Sequence, residues 1–176
     1  MTALRDPVEH ETVASLIRMD DQMLADDVYR TKLQTTTAGL KQIIASLSDV
    51  AEIVVAQSPE HARFSLIPHA IGACPVEILL RADQYYDIAL ASEFYEDCRI
   101  ENLGLFEQLI QAVANGDVIQ RHYISAATGA ERAVESIVTL PGGTVWHKGH
   151  VHSRLSGALA DGRAVYNDRR FLPYRR

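Results

Sequence analysis

Only two cysteines occur in the 176 residues, Cys74 and Cys98, 24 positions apart and in no CxxC spacing. That leaves no thiol-based metal or redox motif. Cys98 follows Glu96 and Asp97, whose charges oppose thiolate formation, so both cysteines read as small buried residues, kept reduced as in a cytoplasmic protein. No apolar stretch approaches the roughly 18–20 residues that span a bilayer, which excludes a transmembrane helix. The first ten residues carry Arg5, Asp6 and Glu9 and no apolar run, so no secretory leader is expected. Aromatic residues make up 7% of the chain, with one tryptophan. The GxSxG elbow and the phosphate-cradling GxGxxG and GxxxxGK[ST] loops are missing, which removes the commonest hydrolase and nucleotide-binding signatures.

What is present is an ordinary apolar fraction, 47%, and an uneven charge. Residues 1–147 carry 10 Lys and Arg against 21 Asp and Glu, a net of −11. Residues 148–176 carry 7 against 2, a net of +5. An acidic body repels nucleic-acid phosphates and anionic membranes. The basic end, with Tyr166, Phe171 and Tyr174 as its few aromatics, is expected to fold on its own acidic body or on a neighbour's. No nucleic-acid or membrane partner is expected.

Apolar periodicity divides the chain. Residues 8–49 read as helical, with Leu33, Leu40, Ile43, Ile44 and Leu47 at helical spacing. Thr35-Thr36-Thr37 and Gly39 predict a break into two helices near residues 28–38, with one bent helix as the alternative, because β-branched residues and glycine are poor helix formers. From residue 51 to 147 the period is mostly two. Val76, Ile78 and Leu80 followed by Tyr86, Ile88 and Leu90 predict a hairpin across residues 82–84. Asn102, then Phe106, Leu109, Ile110 and Val113, then Gly116 predict a capped helix over 103–115. Glu93, Glu96, Asp97 and Glu101 read as a solvated acidic run. Residues 148–176 read as a mostly irregular tail. Hairpin-length links imply antiparallel pairing.

The fold class is therefore α+β: a two-layer domain over residues 1–147, its mostly antiparallel sheet of about five to seven strands covered by helices on one face. On element order alone this resembles the small acidic dimers of the secretion-chaperone type, a resemblance that implies a homodimer.

Two sets of residues are candidates for function. His147, His150 and His152 place three of seven histidines within six positions. Imidazole ligates divalent transition metals, and His122, Glu135 or Glu93 are the candidate further ligands. On a strand His150 and His152 share a face and His147 points away; the plainer reading is a solvated polar strand end. Trp146, Arg169, Arg170, Phe171 and Tyr174 are the candidate partner contacts. The expected function is non-catalytic, through protein–protein contact or assembly as a homodimer with no cofactor. A metal-dependent enzyme or metal-binding protein built on the histidines is the alternative.

Overall fold

The computed structural model describes residues 24–151 and 164–175. The elements follow in the order α1 (Asp26–Ala45), β1 (Ala51–Gln57), β2 (His61–Pro68), β3 (Val76–Arg81), β4 (Tyr85–Leu90), β5 (Glu93–Arg99), α2 (Leu105–Asn115), β6 (Val118–Ser125), β7 (Glu131–Thr139), β8 (Val145–Val151) and β9 (Ala164–Arg170). The α+β class and the antiparallel pairing stand, but a single sheet of five to seven strands does not. Two sheets form, one of five strands in the order β1-β2-β3-β4-β5 and one of four in the order β8-β7-β6-β9.

The five-stranded sheet is a meander. Its register aligns Leu66, Val76 and Leu90 in one row, Phe64, Ile78 and Ile88 in the next, and Ala62, Leu80 and Tyr86 in a third. All nine are buried. Period-two alternation thus delivers one continuous apolar face. The acidic run folds as β5. Its inward residues Tyr95 and Cys98 oppose Ile88 and Tyr86, while Asp97, at φ 51°, takes up a register shift. Three carboxylates in seven residues mask the strand in the sequence, although Glu96 and Asp97 are exposed and Glu93 sits half-buried at the strand end opposite Leu90.

α1 runs unbroken through the threonines. Thr31 and Thr35 satisfy their hydroxyls on the carbonyls of Asp27 and Thr31, a helix-compatible bond. Tyr29, Thr37, Leu40 and Ile44 form its buried stripe. Gly39 leaves room for the Glu107 side chain of α2. Tertiary packing outweighs the local propensity penalty here, which is below about 1 kcal/mol per residue. The expected helix preceding α1 lies outside the described residues. α2 meets its expectation at the C-terminal end, where Gly116 ends the helix at φ 81°, but it starts at Leu105 with Gly104 at the cap, and Asn102 accepts from the Gly104 amide at 2.9 Å in the turn just ahead of it.

The four-stranded sheet is a Greek key. β6, β7 and β8 follow one another, and β9 returns beside β6. The stretch expected to be irregular thus contains the end of β8, which crosses position 147, and all of β9. After β9 the chain lies on the acidic body. The Leu172 amide donates to Gly72 O, the Tyr174 hydroxyl donates to Cys74 O at 2.6 Å, and Arg175 pairs with Asp49 at 2.7 Å.

Residues of both helices and both sheets share one core cluster. Three buried polar links bind the sheets directly. Trp146 Nε1 donates to the Tyr86 hydroxyl at 3.2 Å, the Tyr95 hydroxyl to Ser136 Oγ at 2.9 Å, and Gln120 Nε2 to Leu90 O at 3.1 Å. Among the described residues no helix is long and apolar enough to cross a membrane.

Candidate contact surface on the four-stranded sheet

Pairing in the four-stranded sheet decides which side chains share a face. On the inward side lie the rows Asn167, His122, Val134, His150, then Arg169, Gln120, Ser136, Lys148, then Val118, Val138, Trp146, although Asn167, Arg169 and His150 stay exposed at the sheet's rim. Outward lie Tyr166, Tyr123, Ala133, Val151, then Asp168, Arg121, Glu135, Gly149, then Arg170, Ile119, Ile137, His147.

The histidines are not brought together. His147 faces outward, with Nδ1 3.9 Å from Glu135 Oε1. His150 faces inward, donates through Nε2 to Phe94 O at 2.6 Å and stacks on Tyr95 with centroids 4.6 Å apart. His122, two strands from β8, bonds Glu131 at 2.6 Å. The expectation that His147 and His150 point to opposite sides is met; His152 lies outside the described residues. Among the described residues no group of three His, Cys, Asp or Glu is placed to hold a metal ion.

The candidate contact residues divide. Trp146, Phe171 and Tyr174 are 7%, 5% and 3% exposed, so their rings pack the molecule's own core and are withdrawn from any partner. They had the right chemistry for anchors, but they anchor the second sheet and the C-terminus. Arg169 and Arg170 are exposed on β9, with the Arg169 guanidinium 4.8 Å from the Phe171 ring centre.

What the fold assembles on the outward face is a polar chain across all four strands. Asp168 of β9 takes a bidentate pair from Arg121 of β6, at 2.8 and 3.0 Å. The same guanidinium lies 4.6 Å over the Tyr166 ring. The Tyr123 hydroxyl donates to Glu135 Oε2 of β7 at 3.1 Å, and Glu135 meets His147 of β8. The hydrogen bonds from Arg121 hold the Asp168 carboxyl below the usual carboxylate range. Partial burial, then the Glu135 charge, pushes the Tyr123 phenol upward. Exposed apolar groups flank this chain: Val145, Val151 and Tyr166.

A flat face of this kind does not enclose a substrate. Among the described residues two clefts lie off it. One, of about 390 Å³, has Tyr86, Phe106 and Trp146 below Arg99, Glu101, His147 and Lys148. The other, of about 380 Å³, separates Arg30, Gln34 and Thr37 of α1 from the β1–β2 turn at Ser58 and His61. Both are open; in the second the Ser58 hydroxyl lies 3.1 Å from His61 Nδ1, on the exposed β1–β2 turn. Burial pushes the Cys74 thiol up to about 12, which keeps it protonated and unreactive. No family model, curated protein or solved structure matches the chain.

The outward face was only partly readable from sequence. Tyr123 and Glu135 stand out singly, but their alignment with Arg121 and Asp168 depends on β9 returning to pair with β6. The alternation of Tyr166, Asp168 and Arg170 is the one signal that could have found it.

Proposed function

We propose that this protein acts without catalysis, through protein–protein contact, and that the outward face of its four-stranded sheet is the contact surface. The observation that carries the reading is the chain Asp168–Arg121–Tyr166 and Tyr123–Glu135–His147, laid flat across four strands between exposed valines. Arginine and tyrosine are the residue types that dominate contact energetics. Small-molecule sites are instead concave and largely apolar. Arg121 is already oriented by Asp168, so little side-chain freedom is lost when a partner docks on it. The role needs no cofactor. Two unpaired buried cysteines suit a reducing, cytoplasmic setting.

A photo-crosslinking residue at position 166, compared with one at Glu77 on the five-stranded sheet, tests this in the producing cell. The expected result is one defined adduct from position 166 that is lost on adding Arg121→Ala. Equal or absent adducts from the two positions would overturn the reading.

A further inference from the structure

Two sheets have four edges, and three of them resist pairing with another chain. β5 carries Glu93, Glu96 and Asp97 and a register shift at Asp97. β9 carries Asp168, Arg169 and Arg170. β8 carries His147, Lys148 and His150, with the His150 ring tied across to Phe94 O of the other sheet. Charges and bulges of this kind are how natural sheets avoid edge-to-edge association. β1 has no bulge and little charge. Its sequence, Ala-Glu-Ile-Val-Val-Ala-Gln, holds one charge, Glu52, and leaves Val54 and Val55 49% and 40% exposed. Among the described residues no strand pairs with its free side.

The hydrogen-bond parity of β1 shows what that side offers. Val50 O accepts from the His69 amide and the Ser58 amide donates to His61 O. Alternation along an antiparallel pair then turns the backbone groups of Glu52, Val54 and Ala56 toward β2, and those of Ile53, Val55 and Gln57 toward the open edge. A two-fold axis through Val54 sets Ile53 against the partner's Val55 and Gln57 against the partner's Ala51. Ile53 and Val55 then exchange all their open amide and carbonyl groups with the second copy, and each Gln57 amide meets the free Ala51 carbonyl. The same register sets Val54 beside the partner's Val54 as a close, non-hydrogen-bonded pair.

Charge agrees with this register. Glu52 lies on the outer face of the sheet and would stand opposite the partner's Ala56, whose neighbour on that face is Arg63. Small Ala56 leaves Glu52 free to reach over it to the partner's Arg63, which on its other side already holds Glu77 at 2.8 Å. Symmetry makes the contact twice.

From these observations we infer that β1 is a homodimer interface, pairing antiparallel with a second copy about Val54 to form one continuous sheet, five strands from each copy. This deepens the assembly part of the function proposed above. The two readings fail separately, because β1 and the outward face of the four-stranded sheet share no residue.

The test is disulfide trapping in the full chain. Val54→Cys should give a covalent dimer on mild oxidation, since the close pair brings the two Cα atoms within bridging range. Val55→Cys and Ala56→Cys, displaced along the strand from their own copies, should crosslink at least about tenfold more slowly. Sedimentation should show a dimer for the unmodified protein. Val54→Lys, which sets two ammonium groups face to face, should weaken association by about tenfold or more and leave the circular-dichroism spectrum unchanged. A monomer at every concentration, a dimer insensitive to Val54→Lys, or equal crosslinking at positions 54, 55 and 56 would each overturn the assignment. So would protection of the Ile53 and Val55 amides from exchange in a monomer, which would mean that another segment of the same chain covers the edge.

Discussion

The two sheets are built on different physics. The centre of the inward face of the five-stranded sheet is apolar, and Phe64, Leu66, Ile78, Leu80, Ile88 and Leu90 are each wholly buried. The inward face of the four-stranded sheet mixes Val118, Val134 and Val138 with Gln120 and Ser136, and it is fixed to its neighbour by directional hydrogen bonds from Trp146, Tyr95 and Gln120. Apolar burial supplies most of the driving force for folding, while each hydrogen bond adds on the order of 1 kcal/mol net but fixes an orientation. The first sheet therefore carries stability. The second is held at a set angle to it and presents its outward face.

The sharpest way to break that contrast is to remove one isoleucine from each. Ile78→Ala empties a fully enclosed site at the centre of the five-stranded sheet, at a cost of about 2–5 kcal/mol. Ile137→Ala trims the partly exposed outward face of the four-stranded sheet and should cost under about 1 kcal/mol. Urea denaturation of both variants measures the difference. Equal losses would mean that the outward face is as much a part of the core as the meander.

The next effect in size concerns how the second sheet is closed. Gly116 has φ 81°, and a methyl placed there would sit 2.7 Å from Pro173 N and 2.9 Å from Leu172 C. Those atoms are backbone and cannot swing aside. Gly116→Ala should cost at least about 2 kcal/mol, from left-handed strain together with displacement of the segment after β9. Hydrogen exchange locates the damage: the amides of β9 should lose protection while those of β3 keep theirs. Uniform loss across both sheets would show that β9 and the meander unfold as one unit.

The same contrast explains what could be read from the sequence. The β3–β4 hairpin and α2 were legible because the features that specify them are local: alternation, a short turn, an apolar helical stripe and a Gly past the helix end. The unbroken course of α1 was not, because Leu40 and Ile44 are held by partners distant in sequence, and that packing outweighs three threonines and a glycine. β5 was hidden because an acidic run looks the same whether the backbone is helix or strand. β9 was hidden most completely. It pairs with β6, some forty residues earlier, and no local pattern encodes a Greek-key return. The candidate site suffered for the same reason. Trp146, Phe171 and Tyr174 were recognisable as anchors, but only the fold reveals that what they anchor lies inside the molecule.

The smallest expected effect compares two half-buried arginine centres. In the five-stranded sheet Arg81 reaches Asp83 and Asp97 at 2.7 Å and Asp87 at 3.7 Å, so loss of one carboxylate leaves others in place. In the four-stranded sheet Arg121 has Asp168 as its carboxylate partner, at 2.8 Å. Hydrogen bonds from their arginines hold the Asp83 and Asp168 carboxyls below the ordinary range. A depressed folded-state pKa stabilises the fold fully above the unfolded carboxylate value of about 4, and that stabilisation is lost as pH falls through the lower, folded value. Asp168→Asn should therefore lower the melting temperature slightly at neutral pH, and by more than Asp83→Asn, whose arginine keeps Asp97. The Asp168→Asn deficit should begin to shrink below about pH 4 and close once the pH lies below the lower, folded-state value, where the wild-type carboxyl is neutral too. Both groups are solvent-exposed, so salt should shrink the neutral-pH deficit as acid does. Paired melting curves across pH and ionic strength measure this directly. A deficit that persisted in acid would assign the effect to packing around Tyr166 and remove the ion pair from the account of how Arg121 is oriented.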